Sequence, residues 1–242
     1  MKRHHLEIGE TIATVIADPE YIPVAEKAVH EARNQIENYI SQHPYFGSSH
    51  APVNVEPSAP NIIQRMAEAS QQVGVGPMAS VAGTIAEYAV KETVAKGASH
   101  VIFDNGGDIA MYLEHPIVAG IYTGSRGSNG LGLRITQTKT MLGLCTSSAT
   151  VGHSLSYGKT DASIIYSEDV ALADAAATAL GNAVSQKDTS LIESSLNKIM
   201  IDGIKGAMVC IEDTIGICGH LPELVKANVD FELVRKGGMA CE

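Results

Sequence analysis

Asp174 and Thr178 stand four residues apart in Val170–Gln186, a segment whose Leu172, Ala176, Ala179 and Ala183 mark a small-residue packing face. In a helix, side chains at i and i+4 lie one above the other, so a carboxylate and a hydroxyl offer two oxygens to one point. Hard cations such as Mg²⁺ take oxygen ligands of this kind, although the same spacing also suits a solvated or hydrogen-bonded pair. A second cluster is the run Thr146-Ser147-Ser148-Ala149-Thr150-Val151-Gly152-His153-Ser154, hydroxyls and one imidazole after an apolar stretch. Such hydroxyls bind either a ligand or their own backbone. His153, followed by Lys159 and Asp161, brings an imidazole, an ammonium and a carboxylate close in sequence, a set able to act on a charged substrate. The third cluster is Asp104-Asn105-Gly106-Gly107-Asp108. Its paired glycines either supply the positive φ of a hairpin turn or let a ligand approach the backbone closely.

These clusters need elements to position them. From Val81 to Lys96, Val81, Ile85 and Ala89 recur every fourth residue beside a row of Ala86, Val90 and Val94, which predicts an amphipathic helix stopped at Gly97. Val101–Phe103 and Ile109–Leu113 are apolar runs on either side of the glycine turn, a hairpin signature. Upstream, Leu6–Ala17 reads as one strand or two around Gly9, and a helix follows from Pro23 to about His43. Pro44–Pro60 is a loop with at most one edge strand at Val53 and Val55, and a short helix spans about Ile62–Gln72. Strands are expected at Ile117–Tyr122, Leu131–Thr136, Thr140–Cys145 and Ala162–Tyr166, with a glycine- and serine-rich loop around Arg126. Ser167-Glu168-Asp169 has the composition of a helix start, and the helix from Val170 follows it. A helix at Ser190–Asp202 and strands at Ala207–Glu212 and Thr214–Cys218 repeat the order helix, strand, turn, strand seen at Thr84–Leu113, which suggests two related halves. The tail from Val225 onward carries less pattern.

At 242 residues the chain is long enough for a sizeable core, and 45% apolar with 18% charged residues is the composition of an ordinary soluble globular protein. A formal net charge of −10 argues against nucleic acid or an anionic membrane as partner, while a small phosphorylated ligand stays compatible through backbone N–H groups or a metal. The four cysteines show neither a C-x-x-C nor a His/Cys ligand spacing, so reduced thiols are expected. With no apolar run of signal-peptide or membrane-spanning length, the expected location is the cytoplasm.

Taken together, VAGTIAEYAV at 81–90, FDNGGDI at 103–109, Thr146-Ser147-Ser148, His153 and ALADAAATAL at 171–180 resemble the ApbE-like family, whose studied members are FAD:protein FMN transferases. The chain looks most like the UPF0280 offshoot, for which transferase activity does not follow automatically. The resemblance implies an α+β fold of duplicated tunnelling-fold type, with helices packed on antiparallel sheets in a single domain over 1–242. A ligand groove would lie between two intertwined halves. It implies Asp174 and Thr178 as side-chain Mg²⁺ ligands with the Ala79 carbonyl as a backbone ligand. Gly83, Glu87, Gly106, Gly107 and Asp108 would lie beside FAD or FMN, and Thr146, Ser147 and His153 would line the transfer site. Departures from the family pattern are Ala82 in place of lysine, Glu87 in place of aspartate and Ser148 in place of glycine. The D-P-x-T-G continuation is also absent after His153, and the segment between the first helix and Gly76 is shorter than in the transferases. The lysine role therefore does not carry over. Three readings stay open: a Mg²⁺-dependent transferase moving FMN from FAD to an acceptor protein, a non-catalytic flavin or nucleotide binder, and an enzyme acting on another small phosphorylated or heteroaromatic substrate. A homo-oligomer is compatible with each.

Overall fold

The computed structural model describes residues 1–123, 130–149 and 158–227. His153 and Arg126, considered above, and Cys241, one of the four cysteines, lie outside the described residues.

An antiparallel eight-stranded sheet forms the middle layer. Its first half is two hairpins, β1 (Lys2–Ile8) with β2 (Thr11–Ala17) and β3 (Val101–Asn105) with β4 (Asp108–Tyr112). Between the hairpins the chain makes α1 (Ile22–Gln42), the short α2 (Pro44–Ser48), α3 (Asn61–Val73) and α4 (Val81–Ala95). The second half repeats the plan: β7 (Leu142–Ser147) pairs with β8 (Ala162–Ser167), then come α5 (Val170–Ala183) and α6 (Thr189–Ile199), then β9 (Ile204–Ile211) pairs with β10 (Thr214–Gly219). Strand order across the sheet is β1-β2-β3-β4-β7-β8-β9-β10, so the halves meet where β4 pairs with β7. A smaller sheet of β5 (Ile117–Ile121), β6 (Leu131–Ile135) and β11 (Glu223–Lys226) has the order β11-β6-β5.

Side-chain alternation along the strands separates two cores. Phe103, Ala110, Cys145, Ile165 and Val209 face the helices and join a cluster running from Leu6 to Ile211. Their neighbours Ile102, Ile109, Leu144, Ile164 and Met208 face the opposite way and pack with Ala119, Ile121, Leu133 and Ile135 of the small sheet. Because both faces of the large sheet are covered, its central strands are continuous apolar runs rather than half-polar ones.

The structure differs from the sequence reading in several places. Pro44–Ser48, read as loop, makes a helical turn, whereas the rest of the segment is loop with no strand at Val53 and Val55, within the reading. Glu223–Lys226 is a strand where little pattern was expected, because its partner β6 is almost ninety residues away and four residues carry no readable period. The strand after Thr140 starts at Leu142 and runs on through Ser147, which carries two hydroxyl residues into the sheet. Among the described residues no helix is long and apolar enough to cross a membrane.

Candidate metal and nucleotide cleft

The join between the halves sets the site. In the β4–β7 register Asp108 lies opposite Cys145, next to Thr146 and Ser147 at the end of β7. The turn leading into β4 is tightly held. Gly106 and Gly107 have φ of 73° and 103°, the left-handed region that glycine enters without a Cβ clash. The Gly107 N–H donates to Asp104 Oδ1 at 2.9 Å, and Asn105 Nδ2 donates to the Ala82 carbonyl at 3.0 Å, tying the hairpin to the start of α4.

Opposite stands α5. Asp169 is its N-cap, accepting the Leu172 N–H at 2.8 Å, and Ser167 Oγ in turn accepts the Asp169 N–H at 2.9 Å. Spaced at i, i+4 and i+8 along α5, Asp174, Thr178 and Asn182 form one stripe. All three line a cleft of about 330 Å³ together with Asp108, Thr146, Ser147 and Ala79. Its remaining wall includes Gly76 before α4 and Ser48, Ser49 and His50 at the end of α2. An ideal Cβ at Gly76 would sit 1.9 Å from the Ser49 carbonyl oxygen, so glycine alone lets these two walls close.

Electrostatics single the cleft out. Asp174 is buried, with Oδ2 accepting the Gly83 N–H at 2.7 Å. Burial pushes its carboxyl up to about 7, against the opposing effect of the Gly83 and Ala82 N–H groups. Asp108 is held well above the usual carboxylate range by burial first and then by the charges of Asp174 and Asp104. Asp108 Oδ1 and Thr146 Oγ1 are buried atoms without a hydrogen-bond partner. Buried polar groups are nearly always satisfied, so an orphan oxygen on one of two facing carboxylates, with an orphan hydroxyl beside it, is a specific deficit. Among the described residues no group of three or more His, Cys, Asp or Glu converges on one point. The donors are instead carboxylate, hydroxyl and carbonyl oxygens, the hard set that suits Mg²⁺ better than zinc or copper. A divalent cation fits here.

The structure therefore brings together Asp174, Thr178, Ala79, Asp108, Thr146 and Ser147, and leaves other expected site residues elsewhere. Gly83 is behind Asp174 rather than in the cleft wall, and its N–H is spent on that carboxylate. Glu87 faces away from the cleft, bonded to Arg65 Nε and Nη2 at 3.1 Å each. Gly106 and Gly107 shape the turn without lining the cavity. Asp161 accepts the Glu212 N–H at 2.6 Å, which commits it to the β9–β10 turn. Ser49, His50 and Asn182 were not singled out from the sequence. For Asn182 the signal existed, since it extends the Asp174/Thr178 spacing by one more turn; for Ser49 and His50 it did not, because only folding brings the 44–60 segment to α5.

Three kinds of comparison agree with this architecture. The family model described as "AbpE bacteria" matches residues 1–207. The UPF0280 protein of Methanocella arvoryzae is 45% identical over 232 residues, covering 96% of this chain and 94% of that one. The UPF0280 protein of Methanocaldococcus jannaschii is 42% identical over 227 residues, 91% of this chain and 92% of its own. Among solved structures, the apo flavinyl transferase ApbE of Pseudomonas stutzeri superposes with a TM-score of 0.56 at 11% identity, over 90% of this chain and 93% of that one. The H257G mutant of the flavin transferase ApbE from Vibrio cholerae gives 0.50 at 9% identity, over 92% and 98%. At such identities the structural likeness speaks for the fold alone, an α+β arrangement of the ApbE kind. On the family model and the curated relatives, the chain belongs to the ApbE-like family, in which UPF0280 proteins are its relatives.

Proposed function

We propose that the protein binds a flavin nucleotide through Mg²⁺ in the cleft between the two halves and acts as a flavin transferase-like protein on FAD. The observation that carries this reading is the deficit at the cleft: two buried orphan oxygens, on Asp108 and Thr146, beside a carboxylate raised to about 7. A divalent cation with phosphate oxygens would satisfy all of them. Asp174, Thr178 and the Ala79 carbonyl would hold the metal from α5 and the entry to α4, with Asp108 joining from β4. Mg²⁺ would neutralise charge on the pyrophosphate oxygens, the main requirement of phosphoryl transfer. Thr146 and Ser147 would orient the flavin-side phosphate by hydrogen bonds. In the transfer itself, an acceptor Ser or Thr hydroxyl oxygen forms a bond to that phosphorus, the bond to AMP breaks, and the hydroxyl proton leaves to a base. His153, which the family resemblance puts at the lining of the transfer site, is our candidate for that base. We also take the two β-β-helix-β-β units as the halves of a duplicated tunnelling-type fold, with the ligand groove at their junction.

Flavin as the nucleotide rests on the family and on what the solved ApbE proteins are called, whereas the metal and phosphate reading rests on the cleft itself. A second reading, binding without transfer, is favoured by Ala82 standing where the family has lysine. Calorimetric titration of FAD and of ADP, each in Mg²⁺ and in EDTA, tests the common part. At least about tenfold tighter FAD binding in Mg²⁺ is expected, equivalent to about 1.4 kcal/mol. Equal affinity in EDTA would overturn the metal reading. AMP release on adding a Ser/Thr acceptor peptide separates transfer from binding alone.

A further inference from the structure

Asp174, Thr178 and Asn182 all stand on α5, so the rotation and axial setting of that single helix fix three of the cleft's donors. Useful ligand geometry tolerates errors of only about 0.5 Å, so something must hold the helix. That hold lies outside the cleft. On α4, Gly83 and Glu87 are one turn apart and share a face, and both meet α5. Gly83 allows close contact: an ideal Cβ there would come 2.6 Å from Asp174 Cβ and 2.9 Å from the Val170 carbonyl oxygen. Glu87 Oε2 accepts the Ala171 N–H, in the first turn of α5, at 3.2 Å. Arg65, on α3, donates from Nε and Nη2 to the two oxygens of Glu87 and also from Nη2 to the N-cap Asp169. One guanidinium thus grips both carboxylates that accept the Ala171 and Leu172 N–H groups in the first turn of α5. Glu87 is only 6% exposed, and burial alone would raise its carboxyl, yet Arg65, Lys91 and the Ala171 N–H together hold it below the usual range.

We propose that Arg65 and Glu87 are positioning residues, an ion-pair clamp on the α5 N-terminus that seats Asp174 against the Gly83 N–H and thereby sets the cleft's affinity for a divalent cation. The link to cation affinity rests on the function proposed above; the seating of Asp174 does not. Breaking the clamp frees α5 to shift along its axis. The first observable to change is the Asp174–Gly83 hydrogen bond, not the sheet beneath.

Two readouts test this in the full chain. Amide hydrogen exchange, read residue by residue by NMR, reports the Gly83 N–H, with Val209 in β9 as the reference for global opening. Mn²⁺ titration reports the cleft. In Glu87→Gln, which keeps the volume and an acceptor for Ala171 but loses the ion pair, Gly83 exchange should accelerate by about tenfold or more while Val209 is unchanged, and Mn²⁺ should bind severalfold more weakly. Arg65→Met should behave alike, Arg65→Lys should recover part of both effects, and Lys27→Ala, which breaks an exposed ion pair on α1, should change neither. The proposal is overturned if Gly83 protection stays at the wild-type level in Glu87→Gln and Arg65→Met, or if it falls only in step with Val209, which is what a merely structural ion pair would give. If wild-type protein binds no Mn²⁺, the metal reading is what fails, and Gly83 exchange alone decides the clamp.

Discussion

Asp174 is a carboxylate that the fold holds in a costly place for a negative charge. Burial raises it from 3.8 to about 7, and Asp108 moves in the same direction. The sign follows directly: the folded chain keeps protons that the unfolded chain releases between those values. The metal-free fold therefore has its full share of stability from this group below about pH 4 and loses it as pH rises to about 7. Urea midpoints measured in EDTA from pH 5 to pH 8 should fall more steeply for wild type than for Asp174→Asn, and excess Mg²⁺ should remove the difference; parallel curves in EDTA would contradict the burial argument. Of the residues in this site, Asp174 and Thr178 were legible because a four-residue spacing on one helix is local information. Glu87 was not, because its partner Arg65 comes from another helix, and sequence alone could not tell a ligand-facing carboxylate from one locked in an ion pair.

The elements that matter most are the β3–β4 turn and the α4–α5 pair. Periodicity located both helices because their apolar spacing is an interior property, while it overran the end of α5, read to Gln186 and observed to Ala183, since Val184 stays apolar and buried after the helix stops. The glycine turn was legible as a hairpin for the same reason. The role of Gly83 was not, because what it permits is an approach by another element. Gly83→Ala should be destabilising by about 1–3 kcal/mol, as expected for a methyl group forced into a packed contact. It should also weaken cation binding, because the displaced group is Asp174 itself. A urea unfolding curve paired with a Mn²⁺ titration checks both, and wild-type behaviour in each would show that α4 and α5 part without consequence.

At the scale of the molecule, the fold brings one carboxylate from each half to a shared cleft, and the pairing of β4 with β7 is what makes that possible. The main helix-side core runs from Leu6 to Ile211 and takes buried residues from both halves. The repeated helix-strand-turn-strand order was visible in the sequence. That β5 and β6 leave the main sheet to cover its other face was not, since strand partnership is decided by non-local packing. Nor was β11, whose partner comes from the middle of the chain. The net charge of −10 already steered expectation away from polyanions, and under the proposed function a small phosphorylated ligand would enter the acidic cleft together with a cation. The most direct measurement is electron paramagnetic resonance of Mn²⁺ titrated into wild type, Asp108→Asn and Asp174→Asn. The account predicts one Mn²⁺ bound per wild-type chain, displaced by Mg²⁺, with both variants binding at least about tenfold more weakly. Absence of bound Mn²⁺ in the wild type, or binding that both substitutions leave intact, would contradict it.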